Sequence, residues 1–510
     1  MSDAPRADAL RADAPQAAVL QAARTALAGR TAWLVGGALR DRLLGRPTAD
    51  LDVVIDGDPA DAARVLARVC GPAACFALSE EFGAWRVVAR DGSWQIDVER
   101  LRGESLEDDL VLRDFTVNAV AEPLQGGSPI DPLGGLADIE ERRLRVVAPQ
   151  AFAADPLRVL RLVRIAVELG LEPDPLTLCC AREAAHMLRS VSAERVFMEL
   201  RRILDARQAL RGLELMSEVG ATAAVLPELE ALRGVQQSRY HHRDVYDHTL
   251  EALDRVIALQ EDPLALLGGE AGGEWHREPG KLGGAEGLNR GRQPVEEEIR
   301  ALLAEPLADG LSRGGALRWG ALLHDAAKPA TRAVREDGRV TFIGHDALGA
   351  DLARAVLGRL RASERLQAHV AALVRNHLRL GFLVHDPQPL ARKTVFAYMR
   401  ACEPVEVDVT LLSVADRLAT RGDRAREAID VHMRLARGML ADALRWRAQG
   451  GAPRALWRGD ELARELDIPL GPRVGELLEE LARAQYAGEL QTRTQALDFA
   501  RALLDTRMRP

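Results

Sequence analysis

Trp33-Leu34-Val35-Gly36-Gly37-Ala38-Leu39-Arg40-Asp41, followed by Asp50-Leu51-Asp52-Val53-Val54-Ile55, is the stretch whose reading decides the fold. An apolar strand runs into a double glycine, a short helix carries Arg40 and Asp41, and a second apolar strand opens on Asp-x-Asp. In an extended strand the side chains at i and i+2 share a face, so Asp50 and Asp52 present two carboxylates side by side. Two anions that close repel unless a cation lies between them. Magnesium, which takes hard oxygen ligands and bridges to phosphates, is the expected guest, and Gly36 and Gly37 ahead of a helix let backbone N–H groups approach a triphosphate. Taken singly, Gly-Gly and Asp-x-Asp are common in turns and at solvated strand ends. Their order here points to nucleotidyl transfer.

Outward from this stretch, apolar runs at Trp33 to Val35, Leu51 to Ile55, Trp85 to Val88 and Trp94 to Val98, separated by Gly and Asp turns, predict strands of one small sheet. From Asp155 onward strand signals nearly vanish. Leu157, Leu160, Ile165 and Leu169, then Val196, Leu200, Ile203 and Leu204, recur at helical spacing, so an α+β chain is expected: an N-terminal sheet followed by an almost wholly helical remainder. Between about 262 and 316 the glycine-rich composition cannot bury enough apolar area to offset the entropy of ordering. A mobile insertion is expected there, with a short helix near Val295 to Leu303.

At 510 residues the chain is too long for one core, and its 47% hydrophobic content lets each domain fold conventionally. No apolar run reaches the ~18 residues of a membrane span, and the first residues lack the pattern of a signal peptide, so a cytoplasmic protein with no membrane partner is expected. Five cysteines without a CxxC pair fit a reducing compartment and argue against structural zinc. The net charge of −8 requires any RNA contact to come from local clusters of arginine. Oligomeric state is not legible.

Further motifs follow the aspartates: Gln95-Ile-Asp97-Val98-Glu99, Leu112-Arg113-Asp114-Phe115-Thr-Val-Asn118, Asp131-Pro132-Leu-Gly-Gly135, Asp155-Pro156-Leu-Arg158-Val-Leu-Arg161, and Ser192-Ala-Glu194-Arg195 through Glu199-Leu200. Together they resemble the bacterial-type (class II) CCA-adding tRNA nucleotidyltransferases and their poly(A) polymerase relatives, with a polymerase-β-like head. The resemblance implies addition of CMP or AMP from CTP or ATP to a tRNA 3′ end without a nucleic-acid template. It implies Asp50 and Asp52 as Mg²⁺ ligands, with Asp97 as the third carboxylate and Glu99 as its competitor on the same strand face. Gly36, Gly37, Arg40, Asp41, Arg113, Asp114, Asn118 and Arg161 would bind nucleotide, and Asp155 and Arg158, on the first turn of a helix, would select the base. An N-cap Asp with a routine i,i+3 ion pair fits Asp155 and Arg158 equally well. Arg164, Arg195, Arg201 and Arg202, with Arg161, would meet RNA phosphates. Only Leu101-Arg-Gly-Glu-Ser105 separates the Asp97 strand from Leu106, where relatives that add the terminal A carry a longer flexible loop. This favours CC addition, with full CCA addition and poly(A) synthesis as alternatives.

A second constellation comprises Asp247-His248, Leu322-Leu-His324-Asp325-Ala-Ala-Lys328, Gly344-His345-Asp346, Arg375-Asn376-His377 and Ala415-Asp416-Arg417. It resembles the HD phosphohydrolases. His248, His324, Asp325 and Asp416 are the implied ligands of a second divalent metal (Mn²⁺, Ni²⁺, Fe²⁺ or Mg²⁺), and His345 and His377 would complete a further position or bind phosphate. Phosphatase or cyclic phosphodiesterase action is the implied chemistry, against a retained fold with a vestigial site. A chain whose HD domain does the work while the head only binds RNA or nucleotide is the rival reading. The implied layout is a tail and helix at 1-30, a head at 31-150, a helical neck and body at 151-235, an HD domain at 236-440 and a helical tail at 441-510.

Overall fold

The computed structural model describes residues 14–48, 50–79, 83–237, 242–263, 292–421 and 425–507. They fall into two compact units, Met1–Val225 and Leu226–Pro510.

The first unit is built on a six-stranded sheet in the order β3-β4-β5-β2-β1-β6. Its strands are β1 (Ala32–Val35), β2 (Asp50–Ile55), β3 (Ala73–Ser79), β4 (Ala84–Ala89), β5 (Gln95–Arg100) and β6 (Ala121–Pro123). All neighbours are antiparallel except β2 and β5, which run parallel and pair Asp52 with Asp97. Strand alternation sends Leu51, Val53, Ile55, Val87, Ile96 and Val98 to one face. There they pack on Val19 and Ala23 of the helix Ala14–Ala26, on Leu27 just past its end, and on Ala62, Ala63 and Leu66 of the helix Pro59–Val69. Asp58 caps that second helix by accepting from the Ala60 N–H at 2.9 Å, and Pro59 at its first position has no N–H to lose.

The other face is divided. On its β1–β2–β6 half, Val35, Val54 and Ala121 are covered by Leu106, Leu110 and Ala119. On its β5–β4–β3 half, Phe76, opposite Arg86, stays about 45% exposed, and the register of β3 shifts just beyond it, between Ala77 and Ser79. β3 and β6 gave no sequence signal: Ala73-Ala-Cys-Phe-Ala-Leu-Ser79 is too rich in alanine to read as alternating, and β6 is three residues long. Beyond the sheet the unit is helical, with Arg158–Leu169 packed against Ala193–Asp205 and Ala209–Glu218.

The second unit is a helical assembly around Val245–Glu261, Arg313–Leu323, His345–Arg359, Glu364–Asn376, Glu406–Ala419 and Ala425–Ala448. Gly320 is required by packing: a Cβ there would lie 2.8 Å from Leu373 Cδ1, so the helix Arg313–Leu323 can approach Glu364–Asn376 only without one. The tail helices Gly459–Glu465, Pro472–Tyr486 and Arg493–Arg507 share their own apolar cluster, and Tyr486 joins Phe396 and Trp446 at ring separations of 5.6 and 5.7 Å.

Residues 264–291 of the expected insertion, and residues 1–13 of the expected N-terminal tail, lie outside the described residues. The short helix expected near Val295 to Leu303 is present, and the insertion as read from composition runs past it into a core helix. Arg292–Ala304 is a helix burying Ile299, Leu302 and Leu303, Pro306–Ala308 pairs with Leu311–Ser312, and Arg313 begins a core helix. Among the described residues no helix is long and apolar enough to cross a membrane.

Candidate functional site

In the first unit a cavity of about 250 Å³ is lined by Gly36, Gly37, Asp52, Asp97, Glu99, Arg113, Asp114, Asn118 and Arg161, among others. Gly36 sits at φ +66°, and a Cβ on it would come within 2.9 Å of Asp52 Oδ2. Only glycine permits that turn and that approach together. The Ala38 N–H donates to Asp52 Oδ2 at 3.4 Å, so the start of the helix Gly36–Leu43 faces the carboxylate. Burial, reinforced by Asp97 next door, pushes the Asp52 carboxyl up to about 6. Asp97 receives a bidentate pair from Arg86, at 2.8 and 2.7 Å.

A bonded chain fixes the far wall. Arg40 donates to Asp41 at 2.8 and 2.9 Å and to Asn118 Oδ1 at 2.7 Å. Asn118 donates to Asp114 Oδ1 at 2.8 Å, and Arg161 grips Asp114 Oδ2 at 2.5 and 2.9 Å. Asp114 is buried, yet Arg161, Asn118 and the Phe115 N–H outweigh that burial and hold its carboxyl below the usual range. Arg113 is held by buried Asp109, which Arg102 also reaches.

The remaining residues expected in the head take other places. Asp50 opens β2 at an exposed position outside the cavity lining; partial desolvation of its carboxyl by the protein around it, with the charge on Asp97, raises its pKa. Asp155 does not share a first helical turn with Arg158, because the helix begins at Arg158 and Asp155 is extended at φ −144°. Pro156 and Leu157 form an intervening turn. Asp155 accepts from Arg195 at 2.8 Å, and Arg158 donates to the carbonyls of Leu112 and Ala151 at 2.8 and 3.2 Å. Arg158 thus reaches the backbone next to Arg113, and neither residue lines the cavity. Arg164, expected at an RNA surface, is a correction: it is buried and tied to Glu199 at 2.5 Å and Glu168 at 3.0 Å, an internal brace between helices. Arg202 also pairs with Glu168, and half-buried Arg201 lies on the same helix, Ala193–Asp205.

The second unit brings all six expected metal ligands together. His248, His324 and Asp416 form one group, and Asp325, His345 and His377 another, each with ligand atoms within 4.8 Å of one another. His248 Nε2 lies 3.0 Å from Asp416 Oδ1, His324 Nε2 3.2 Å from Asp325 Oδ2, and His345 Nε2 3.4 Å from Asp325 Oδ1. The Nδ1 atoms of His324, His345 and His377 lie 2.8, 2.6 and 2.6 Å from the carbonyls of Ala321, Phe342 and Val374. Those bonds place the proton on Nδ1 and leave each Nε2 lone pair facing inward. Buried His377 Nε2 has no hydrogen-bond partner, and two imidazoles with one carboxylate per group are a donor set suited to a divalent first-row metal. Burial, with His324 beside it, lowers His377 to about 4, which keeps that imidazole neutral and able to ligate. Lys328 Nζ sits 2.7 Å from Asp325 Oδ2. A cavity of about 750 Å³ opens beside the cluster, with Lys328, Arg417, Phe342, Phe382, Ser413 and His432 in its walls.

Residues 32–145 match the Poly A polymerase head domain, 170–232 the probable RNA and SrmB-binding site of polymerase A, and 301–421 the HD domain. A relative in Deinococcus radiodurans, an A-adding tRNA nucleotidyltransferase, is 36% identical over 91% of this chain and 94% of its own length. The chain belongs to the tRNA nucleotidyltransferase family. Another member, the CC-adding tRNA nucleotidyltransferase of Thermus thermophilus, is 33% identical over 92% of this chain and 93% of that one. The fold alone is shared with the Thermotoga maritima CCA-adding enzyme complexed with tRNA, at 18% identity and a TM-score of 0.57 over 96% of this chain and 94% of that one. Within this family frame, His248 stands out because it lies before the segment matching the HD domain. Sequence reading missed Arg86, which has no motif around it and reaches Asp97 only because β4 and β5 pair them.

Proposed function

We propose that the head adds CMP, as CC, to the 3′ end of tRNA. The RNA 3′-hydroxyl attacks the α-phosphorus of CTP, the bond to the β-phosphate breaks, and pyrophosphate leaves. Asp50, Asp52 and Asp97 would supply the oxygen ligands for Mg²⁺. Bound there, Mg²⁺ would stabilise charge on the attacking and leaving oxygens. The N–H groups at Gly36 and Gly37 would approach the triphosphate, Arg113 and Arg161 would supply positive charge, and Asp114, itself bonded by Asn118, holds Arg161 in place. Asp155 and Arg158, beside the cavity, would meet the edge of the incoming base.

The observation that carries CC addition is the connection from β5 to the helix Leu106–Val111. It is five residues long, and it is pinned: Ser105 and Asp108 form a reciprocal capping box, while Arg102 binds Asp109 through its backbone N–H and its guanidinium. A segment so tied is a poor specificity switch. Addition of A alone is the second reading, favoured by the A-adding Deinococcus radiodurans relative. Transcribed tRNAs ending before C, after CC and after CCA, incubated with CTP or ATP and resolved at single nucleotides, separate the two. CC addition predicts two CMP on the first RNA and nothing on the second; AMP on the second RNA alone overturns it.

The second unit is proposed as a metal-dependent phosphoesterase acting on RNA 3′ ends or nucleotides. Its two ligand groups would hold Mn²⁺, Ni²⁺, Fe²⁺ or Mg²⁺, which would supply an activated water. Lys328 and Arg417 provide the cationic side of the adjoining cavity.

A further inference from the structure

The reacting carboxylates belong to a row that crosses the sheet. Register pairs Asp52 with Asp97, Asp97 with Arg86, and Arg86 with Phe76, so these four side chains share one face in the order β2-β5-β4-β3. The bidentate Arg86–Asp97 pair confirms the shared face. The nucleotide cavity lies toward β1, under Gly36, Gly37, Arg113, Asn118 and Arg161. That side is closed by Leu106, Leu110 and Ala119. In-line displacement puts the attacking hydroxyl opposite the leaving pyrophosphate. The β5–β4–β3 side is not covered by that cluster, which leaves it room for the attacking strand.

That side carries an exposed apolar side chain in line with the reacting row. Phe76 is about 45% exposed, on a strand whose alternate residue Cys75 packs into the core. With three strand spacings of ~4.8 Å between β2 and β3, Phe76 stands roughly 14 Å from the Asp52 strand, within reach of the last nucleotides of an RNA whose end lies at Asp52. Aromatic side chains on an open sheet face are stacking platforms for unpaired bases, and Arg86, between Phe76 and the carboxylates, carries a guanidinium already paired with Asp97 that links the platform to the reacting row.

From this placement we infer that Phe76, with Arg86, forms the docking surface for the single-stranded 3′ end of the acceptor RNA. The inference rests on nucleotidyl transfer at Asp52, and it adds where the acceptor lies. Phe76 is a positioning residue: it holds the RNA and does not touch the reacting atoms.

The test uses the full chain with a transcribed tRNA ending before C, a second ending after CC, CTP and ATP. Phe76→Ala should raise the KM for the accepted tRNA about tenfold while leaving the KM for the nucleotide unchanged, the size expected for one lost base stack. Phe76→Trp should restore it. The inference is overturned if Phe76→Ala leaves the RNA KM as it was, if the nucleotide KM rises as much, or if only the mass of the protein in solution changes, which would make this face a contact between copies. Asp52→Ala, run alongside, tests the transfer site itself: incorporation surviving there would remove the underlying reading, whereas a dead Asp52→Ala with an unmoved Phe76→Ala removes only the docking surface.

Discussion

Asp52 pairs with Asp97 across two parallel strands and is enclosed by Gly36, so its charge is costly without a cation nearby. Its carboxyl is raised from 3.8 to about 6, chiefly by burial. Below about pH 4 the group is protonated folded and unfolded, and costs nothing. As pH rises toward 6 the unfolded chain ionises first, so folding loses stability, and above 6 the loss is complete. In metal-free buffer, Asp52→Asn should therefore gain on the wild type by about 2 kcal/mol between pH 4.5 and 7.5. Urea unfolding at the two pH values measures it; equal gaps at both would contradict it. Asp50 and Asp52 were legible as a pair because strand alternation alone puts them on one face. Arg86 was not, since its meeting with Asp97 depends on which strands become neighbours, and that is decided by the whole sheet.

At the scale of elements, the β1-to-helix turn sets the distance between backbone donors and the carboxylate. Gly36→Ala would force an L-residue into φ +66° and drive a Cβ to 2.9 Å from Asp52 Oδ2. The strain costs about 1 to 2 kcal/mol, and the turn must shift to relieve it. A lowered melting temperature together with a large fall in kcat is expected; a variant with wild-type kcat would show that the turn does not position the nucleotide. Most long elements were legible from periodicity. The helix at Arg158 was placed one turn early, because Asp155-Pro156 carries every mark of a helix start while the chain inserts a turn before settling into α. Glycine content likewise carried the insertion too far, past its expected helix and into the core helix that begins at Arg313.

At the scale of the whole molecule, two chemically different acid clusters occupy separate compact units. In the head the candidate ligands are all carboxylates; in the second unit each group mixes imidazole with carboxylate. Substituting His324→Ala with Asp325→Ala should abolish metal-dependent phosphate release from nucleotide substrates and leave tRNA extension at wild-type rate. Loss of both activities would instead couple the sites. The His-Asp doublet and the distant Asp416 were readable as separate motifs, but only the packing of five helices shows six ligands converging.

The most direct test of the account is labelled CMP and AMP incorporation into tRNA by Asp50→Ala combined with Asp52→Ala, scored beside a filter-binding measurement of tRNA. Incorporation should vanish while the tRNA is retained as by the wild type. Incorporation that persists in this variant would contradict the account.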